Sequence, residues 1–327
     1  MQRLILFLLG FLSIMLILLV ALWFVVTQPL FLTEEHGSPV EVDARRLEKH
    51  VRVMAERFAP RDYTHVKNLD SVASYIRREF EQTGGRVSEQ AFEVEGNTYR
   101  NVILQLGAET EERIVVGAHY DAAREYPGAD DNASGTAGLI ELAHLLDDSD
   151  VPMTVELVAY TLEEPPFFRT ERMGSVFHAN DLQERGIQVR MMISVEMIGF
   201  FSDKEDSQHY PSSFLRLFYP TEGNFIVVIG DLGSLSEVRR VKLSMDRAME
   251  LPVYSMNAPP DLIAGIDWSD HLSYWDRGYP AVMVNNTAFL RNVNWHTEND
   301  TPERLDYERM AMVVQGLYEA VLDMAQE

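Results

Sequence analysis

Residues 113–147 read RIVVGAHYDAAREYPGADDNASGTAGLIELAHLLD, and the fold is decided there. RIVVGAH is a near-continuous apolar run ended by His119, the pattern of a strand covered on both faces. SGTAGLIELAHLLDD carries its apolar residues at helical spacing. Between the two lies a polar, glycine-bearing connection holding Asp121, Asp130 and Asp131. A buried strand that leads through an acidic turn into a helix is the unit of a parallel sheet, and such sheets gather ligands at the carboxyl ends of their strands.

Working outward, the same alternation recurs. NVILQL, TVELVAYTL, VRMMISVEM, NFIVVIG and PAVMVNN read as further strands, and MAMVVQGLYEAVLDMA near the C-terminus as a helix. Two amphipathic helices are expected earlier, over residues 43–58 and 70–81, the second stopped by Gly84 and Gly85 in left-handed positions. The expected fold class is α/β, a mostly parallel mixed sheet with helices on both faces, preceded by one N-terminal transmembrane helix.

That first helix is Leu4–Val26, LILFLLGFLSIMLILLVALWFVV, without a charge. A cleavable signal peptide needs only about 7–15 apolar residues followed by a small-residue cleavage site. This run is longer, and TQPLFLTEEHG offers no such site, so an uncleaved single-pass anchor is expected. Arg3 precedes the span, whereas the first charges beyond it are Glu34 and Glu35. The positive-inside bias then places the N-terminus in the cytoplasm and the rest outside it, periplasmic or extracellular. Residues 28–42, with Pro29, Gly37, Ser38 and Pro39, read as a linker after the anchor at 1–27.

Composition narrows the function. A net charge of -23 speaks against nucleic acid, whose phosphates need clustered Lys and Arg, and favours cationic substrates or metal ions. With no cysteine, a metal can sit only on His, Asp and Glu. Such residues recur at strand ends: His119 and Asp121, then Asp130 and Asp131, then Glu163 and Glu164, then Glu196, and His296 after the last strand. Carboxylates clustered at buried strand ends need compensation, which a cation supplies. Two imidazoles and several carboxylates without sulfur suit zinc, and paired ions sharing a carboxylate recur in aminopeptidases. One ion could be held by His119 and Glu196, the other by Glu164 and His296, with Asp131 bridging. Glu163 fits the place of a general base beside the metals, and Asp121 that of a partner to the second His119 N–H.

GAHYDAA, PGADDNASGTAGLIELAHLL, AYTLEE followed by MGSVFHA, SVEMIGF, SDHLSYW and WHTENDTPERLDYERM together resemble the M28 zinc aminopeptidase family over residues 98–325. The resemblance implies a metallopeptidase domain over 43–327 with two Zn²⁺ on His119, Asp131, Glu164, Glu196 and His296. It also implies Glu163 as acid and base, peptide substrates, and a cis peptide between Asp131 and Asn132. The M20 metallo-deacylases share much of this logic, but their middle motif differs from PGADDNASG. Two departures stand out: the third acid is Glu196 where Asp is common, and PPFFRTER lengthens the turn before Met173, with Phe167 and Phe168 as candidate pocket walls. The expected activity is release of N-terminal residues from peptides. Glutaminyl-peptide cyclisation and a non-catalytic peptidase-like ectodomain stand as alternatives, and residue preference and oligomeric state stay open.

Overall fold

The structure is a computed structural model that describes residues 2–30 and 40–326. An eight-stranded sheet organises it: β1 (Arg86–Val94), β2 (Asn97–Leu106), β3 (Glu112–His119), β4 (Thr154–Tyr160), β5 (Gln188–Glu196), β6 (Ile226–Gly230), β7 (Val253–Asn257) and β8 (Ala281–Asn285). The strand order is β1-β2-β4-β3-β5-β8-β6-β7. Strands β4, β3, β5 and β8 are mutually parallel, as their unbroken apolar runs require. Antiparallel pairings at β1–β2, β2–β4 and β6–β8 make the sheet mixed, and β7 runs parallel to β6 at the edge. The α/β expectation holds.

The helices are α1 (Gln2–Thr27), α2 (Ala44–Arg52), α3 (Val66–Phe80), α4 (Gly135–Asp147), α5 (Gly174–Glu184), α6 (Leu235–Ala248), α7 (His271–Trp275) and α8 (Tyr307–Ala325). One face of the sheet carries the main core, where Ile114, Val116, Leu157 and Ile193 pack against apolar stripes that include Leu139, Val241 and Val314. The other face is covered by α5 and α7 around Val115, Val158, Leu182 and Tyr274. Asp43 caps α2 by accepting from the Arg45 N–H at 2.9 Å, and α2 runs on through a wider turn to Arg57, close to the expected helix over 43–58.

Two expectations need correction. The helix expected at 70–81 begins at Val66, because Asp70 is no cap but lies inside α3 and pairs with Arg100 at 3.0 Å. Gly84 and Gly85 do not adopt left-handed angles. Gly85 is instead demanded by proximity: a Cβ there would sit 2.5 Å from a Leu104 methyl.

The end of α1 is part of the packed structure. Lys242, buried on α6, donates to the carbonyls of Thr27 at 3.0 Å and Gln28 at 2.9 Å. Gln28 is itself buried and donates to Leu235 O and Asn257 Oδ1, each at 2.7 Å. Burial draws the Lys242 ammonium down to about 8, against the pull of Asp246. Most of the linker expected over 28–42, with Glu34 and Glu35, lies outside the described residues.

Candidate metal centre

The four parallel strands deliver their polar residues to one edge. His119 ends β3 and Glu196 ends β5, Glu163 and Glu164 follow β4, and His296 lies in the loop after β8. Asp131 reaches the same place from the turn before α4. His119 Nε2 lies 3.4 Å from Asp131 Oδ1 and 3.2 Å from Glu196 Oε2. His296 Nε2 lies 3.0 Å from Asp131 Oδ2 and 3.1 Å from Glu164 Oε2.

These are cation-sized trios, His119–Asp131–Glu196 and Asp131–Glu164–His296. A tetrahedral ion with bonds of about 2.0–2.1 Å has ligand-to-ligand edges of about 3.3–3.4 Å, close to the spacings present. Asp131 offers a different oxygen to each trio. Glu164 Oε1 is buried without a hydrogen-bond partner, as a group awaiting a cation would be. The donors therefore fit a pair of divalent ions. Glu163 belongs to neither trio and holds its Oε2 3.8 Å from His119 Nε2.

Asp121 faces the second imidazole nitrogen of His119, its Oδ1 3.4 Å from Nδ1, and also shapes the next turn. Its two oxygens accept the backbone N–H groups of Glu163 at 3.3 Å and Glu164 at 3.1 Å, fixing the turn that presents both acids. Leu162, Met197 and His296 have φ of 60°, 47° and 53°, the left-handed region that non-glycine residues avoid. Backbone strain thus borders three of the converging residues.

The electrostatics follow from burial and crowding. Burial pushes the Glu163 carboxyl well above the carboxylate range; His119 opposes this, and Glu164 and Glu196 reinforce it. Glu164 is raised to about 7 by burial and by Asp131, and Glu196 is raised mainly by burial. Burial would also raise Asp131, but His119 and His296 win and hold it far below the usual range. These two histidines go the other way: burial lowers each, and the surrounding acids raise both, His296 to about 10.

Several residues at the site carry no conspicuous sequence signal. Asp300 accepts from the N–H groups of Asp130 at 3.0 Å and Asp131 at 3.1 Å. Asp130, the neighbour of Asp131, turns away and accepts from Gly199 N, Phe200 N and the Asn286 and Asn292 amides. Ser269 donates to Glu196 Oε2 at 2.8 Å, and Trp295 stacks on His296 at 3.8 Å. Asp270 is fully buried with both oxygens unpartnered. Asp300 sits in HTENDT, whose crowding of acids and an amide was the available hint, whereas Asp270 is the lone acid of SDHLSYW.

Arg61 is the least legible contributor. Fully buried, it donates to the carbonyls of Tyr120, Pro127 and Gly128 and so clamps the loop that presents Asp131. Replacing it by Met is expected to destabilise the fold by several kcal/mol, since three carbonyls lose their donor at about 1–3 kcal/mol for each buried one left unpaired, and to weaken metal uptake. Thermal unfolding with and without added zinc checks this; unchanged values would remove Arg61 from the site's support.

Beside the trios opens a cavity of about 310 Å³, lined on its apolar side by Phe168, Phe225, Val227, Ile229, Met256 and Trp268. Phe168 is thus a wall, as expected. Phe167 is not: it is buried edge-to-face against Tyr63 at 5.3 Å. Arg169, next in the inserted segment, is ion-paired with Asp267 and ties the insertion to the loop carrying Trp268.

A parallel sheet edge with two cation-sized trios on one shared carboxylate is the layout of metal-dependent hydrolases. The chain belongs to peptidase family M28, whose model matches residues 101–321. It is 44% identical over 294 residues to "Uncharacterized protein YfbL" of Escherichia coli (strain K12), covering 87% of this chain and 88% of that one. Leucine aminopeptidase 1 of Grosmannia clavigera is 27% identical over 64% of this chain, which spans only 49% of that relative's length. Among solved structures, the LapA aminopeptidase of Legionella pneumophila superposes with a TM-score of 0.69 at 21% identity, over 87% of this chain and 72% of that one. A glutaminyl cyclase of Bacteroides thetaiotaomicron gives 0.66 at 18% identity, over 87% and 99%. At such identities these two structures share the fold with this chain.

Proposed function

We propose that this family M28 peptidase is a two-zinc aminopeptidase that releases large apolar residues from peptide N-termini. The observation that carries the reading is the division of roles among the acids. Asp131 is common to both trios, whereas Glu163 stands free beside them. His119 and Glu196 would hold one ion, Glu164 and His296 the other, and Asp131 both.

When bound, the ions would polarise the scissile carbonyl and lower the pKa of a water toward about 7. Glu163 accepts the proton of the attacking water and returns it to the departing amine nitrogen. Asp121 acts through Glu163 and Glu164, holding their backbone so that the two carboxylates diverge to different tasks. The apolar cavity beside Glu163 receives the side chain of the N-terminal residue.

Zinc content and a panel of aminoacyl-nitroanilides test this together. Two ions per chain are expected, with Leu and Phe substrates exceeding Gly by at least about 10-fold in kcat/KM, the effect of a filled apolar pocket. One ion with cyclisation of N-terminal Gln would overturn the reading in favour of a cyclase. A chain that takes up no metal would leave a binding ectodomain.

The same proposal keeps α1 as a retained single-pass anchor with the catalytic part outside the cytoplasm. Within its span Arg3–Thr27, an 18-residue stretch has a mean hydropathy of 3.1 and no buried residue. Cleavage after it would strip the buried Lys242 ammonium of the Thr27 carbonyl, an expensive loss in a desolvated place. The intact mass of the purified protein should include residues 2–27; a mass that begins beyond Thr27 would refute retention.

A further inference from the structure

Outside α1, six large apolar side chains among the described residues are exposed: Phe214, Leu217, Phe218, Leu232, Leu262 and Val293. Four of the six sit on two short segments joined to the end of α1. Tyr219, next to Phe218, donates its hydroxyl to Ser255 O at 2.7 Å on edge strand β7. The Ser255 hydroxyl in turn donates to Thr27 O at 2.7 Å. On the other side, Asn257 donates to Asp231 O at 2.9 Å, beside Leu232, while its own oxygen accepts from Gln28. The helix end thus has the segment 213–219 on one flank and the loop 231–234 on the other.

A helix of 26 residues is about 39 Å long, against a hydrocarbon core of about 30 Å, so it crosses with about 9 Å to spare. The Trp23–Phe24 pair, with ring centroids 5.1 Å apart, marks the interfacial level in the way aromatic belts do. Because Thr27 and Gln28 are docked rather than tethered, the β7 edge cannot swing away from the membrane. Phe214 at 54%, Leu217 at 73% and Leu232 at 49% exposure are apolar side chains exposed on the segments that flank the docked end of α1.

We propose that Phe214, Leu217, Phe218 and Leu232 form a second membrane contact, inserting into the interfacial layer of the bilayer that α1 crosses. The contact rests on the reading of α1 as a membrane anchor. The turn Ser213–Leu217 is held for this by buried Leu215, which turns inward while its neighbours point out. Tyr210 and Tyr219, at either end of the same segment, line the substrate cavity, and so does Met256 of β7. The contact therefore places one wall of the cavity at the membrane surface.

The chain has no cysteine, so single introduced thiols carry a probe without background. Full-length Leu217→Cys, Phe214→Cys, Leu12→Cys and Ala91→Cys proteins, each bearing an environment-sensitive fluorophore, are placed in nanodiscs of phosphatidylcholine and phosphatidylglycerol. Ala91 is exposed on β1, the opposite edge of the sheet. The expected result is quenching of the 217 and 214 probes by lipids spin-labelled near the headgroup, with several-fold less quenching by iodide than at 91. Iodide quenching at 217 and 214 equal to that at 91, with the Leu12 probe still in lipid, overturns the contact and spares the anchor. A Leu12 probe open to iodide overturns both. Shielding from iodide that persists in detergent, without lipid quenching, overturns the contact in favour of a second copy of the chain.

Discussion

Replacing Glu163 by Gln is expected to lower kcat/KM on a leucyl substrate by about 100- to 10,000-fold, the usual contribution of a positioned general base. Gln keeps the size of the side chain and its hydrogen-bonding capacity but cannot accept and return a proton. Since Glu163 lies in neither cation-sized trio, the variant should bind the same amount of zinc and unfold at nearly the same temperature. Removing the Glu163 carboxylate also relieves a crowded set of acids, because Glu164 and Glu196 both act to raise it. The variant is therefore expected to be no less stable than the parent in the metal-free state. Wild-type turnover by Glu163→Gln would show that the proton is carried elsewhere.

The second large effect is that of stripping the metal. A ligand present at about 1,000 times its Kd stabilises the folded state by about 4 kcal/mol, on the order of 10 °C for a domain of this size. Chelation should abolish activity and lower Tm by that order. It should also expose a pH dependence. Glu164 and Asp270 are pushed up to about 7 and Asp300 to about 8, chiefly by burial, whereas carboxyls in an unfolded chain titrate near 4. Between those limits the folded protein holds protons that the unfolded chain has released, so rising pH favours unfolding.

His296 adds to the same slope. It is carried to about 10, so the stabilisation it gives is complete below about 6.5 and drains away as pH climbs toward its folded value. Asp131, held far below the carboxylate range, stays ionised throughout and adds nothing between pH 5 and 8. The chelated protein should thus lose Tm steadily from about pH 5 to 8, and zinc should flatten the curve. A chelated protein whose Tm rises over that interval would contradict the assigned burial of these acids.

The sequence made the centre of the sheet legible because strands buried on both faces leave little room for polar residues. A His or Glu ending such a run stands out, as His119, Glu164 and Glu196 do. The edges were harder. RVSEQAFEV is half exposed, so β1 lacks an apolar run, and only the Glu95–Gly96 pair, both at positive φ, hints at the two-residue hairpin into β2. VYSMN in β7 is too short and polar to register. Arg61 lies more than 50 residues from the nearest carbonyl it clamps, and nothing local betrays such a partner. The choice between Phe167 and Phe168 depends on the rotation of one short segment, which no period records.

The reversal of β6 and β7 separates two kinds of work. Acids and imidazoles come from the ends of the forward-running strands and the connections that follow them, whereas β6 contributes the flank of its body: Val227 and Ile229, with Phe225 just before it, face the cavity at every second residue. The intervening Ile226 and Val228 serve the main core. Taste and chemistry are therefore written on different parts of the scaffold, and exchanging residues 225, 227 and 229 should retune which peptides are accepted while leaving the reactive machinery untouched.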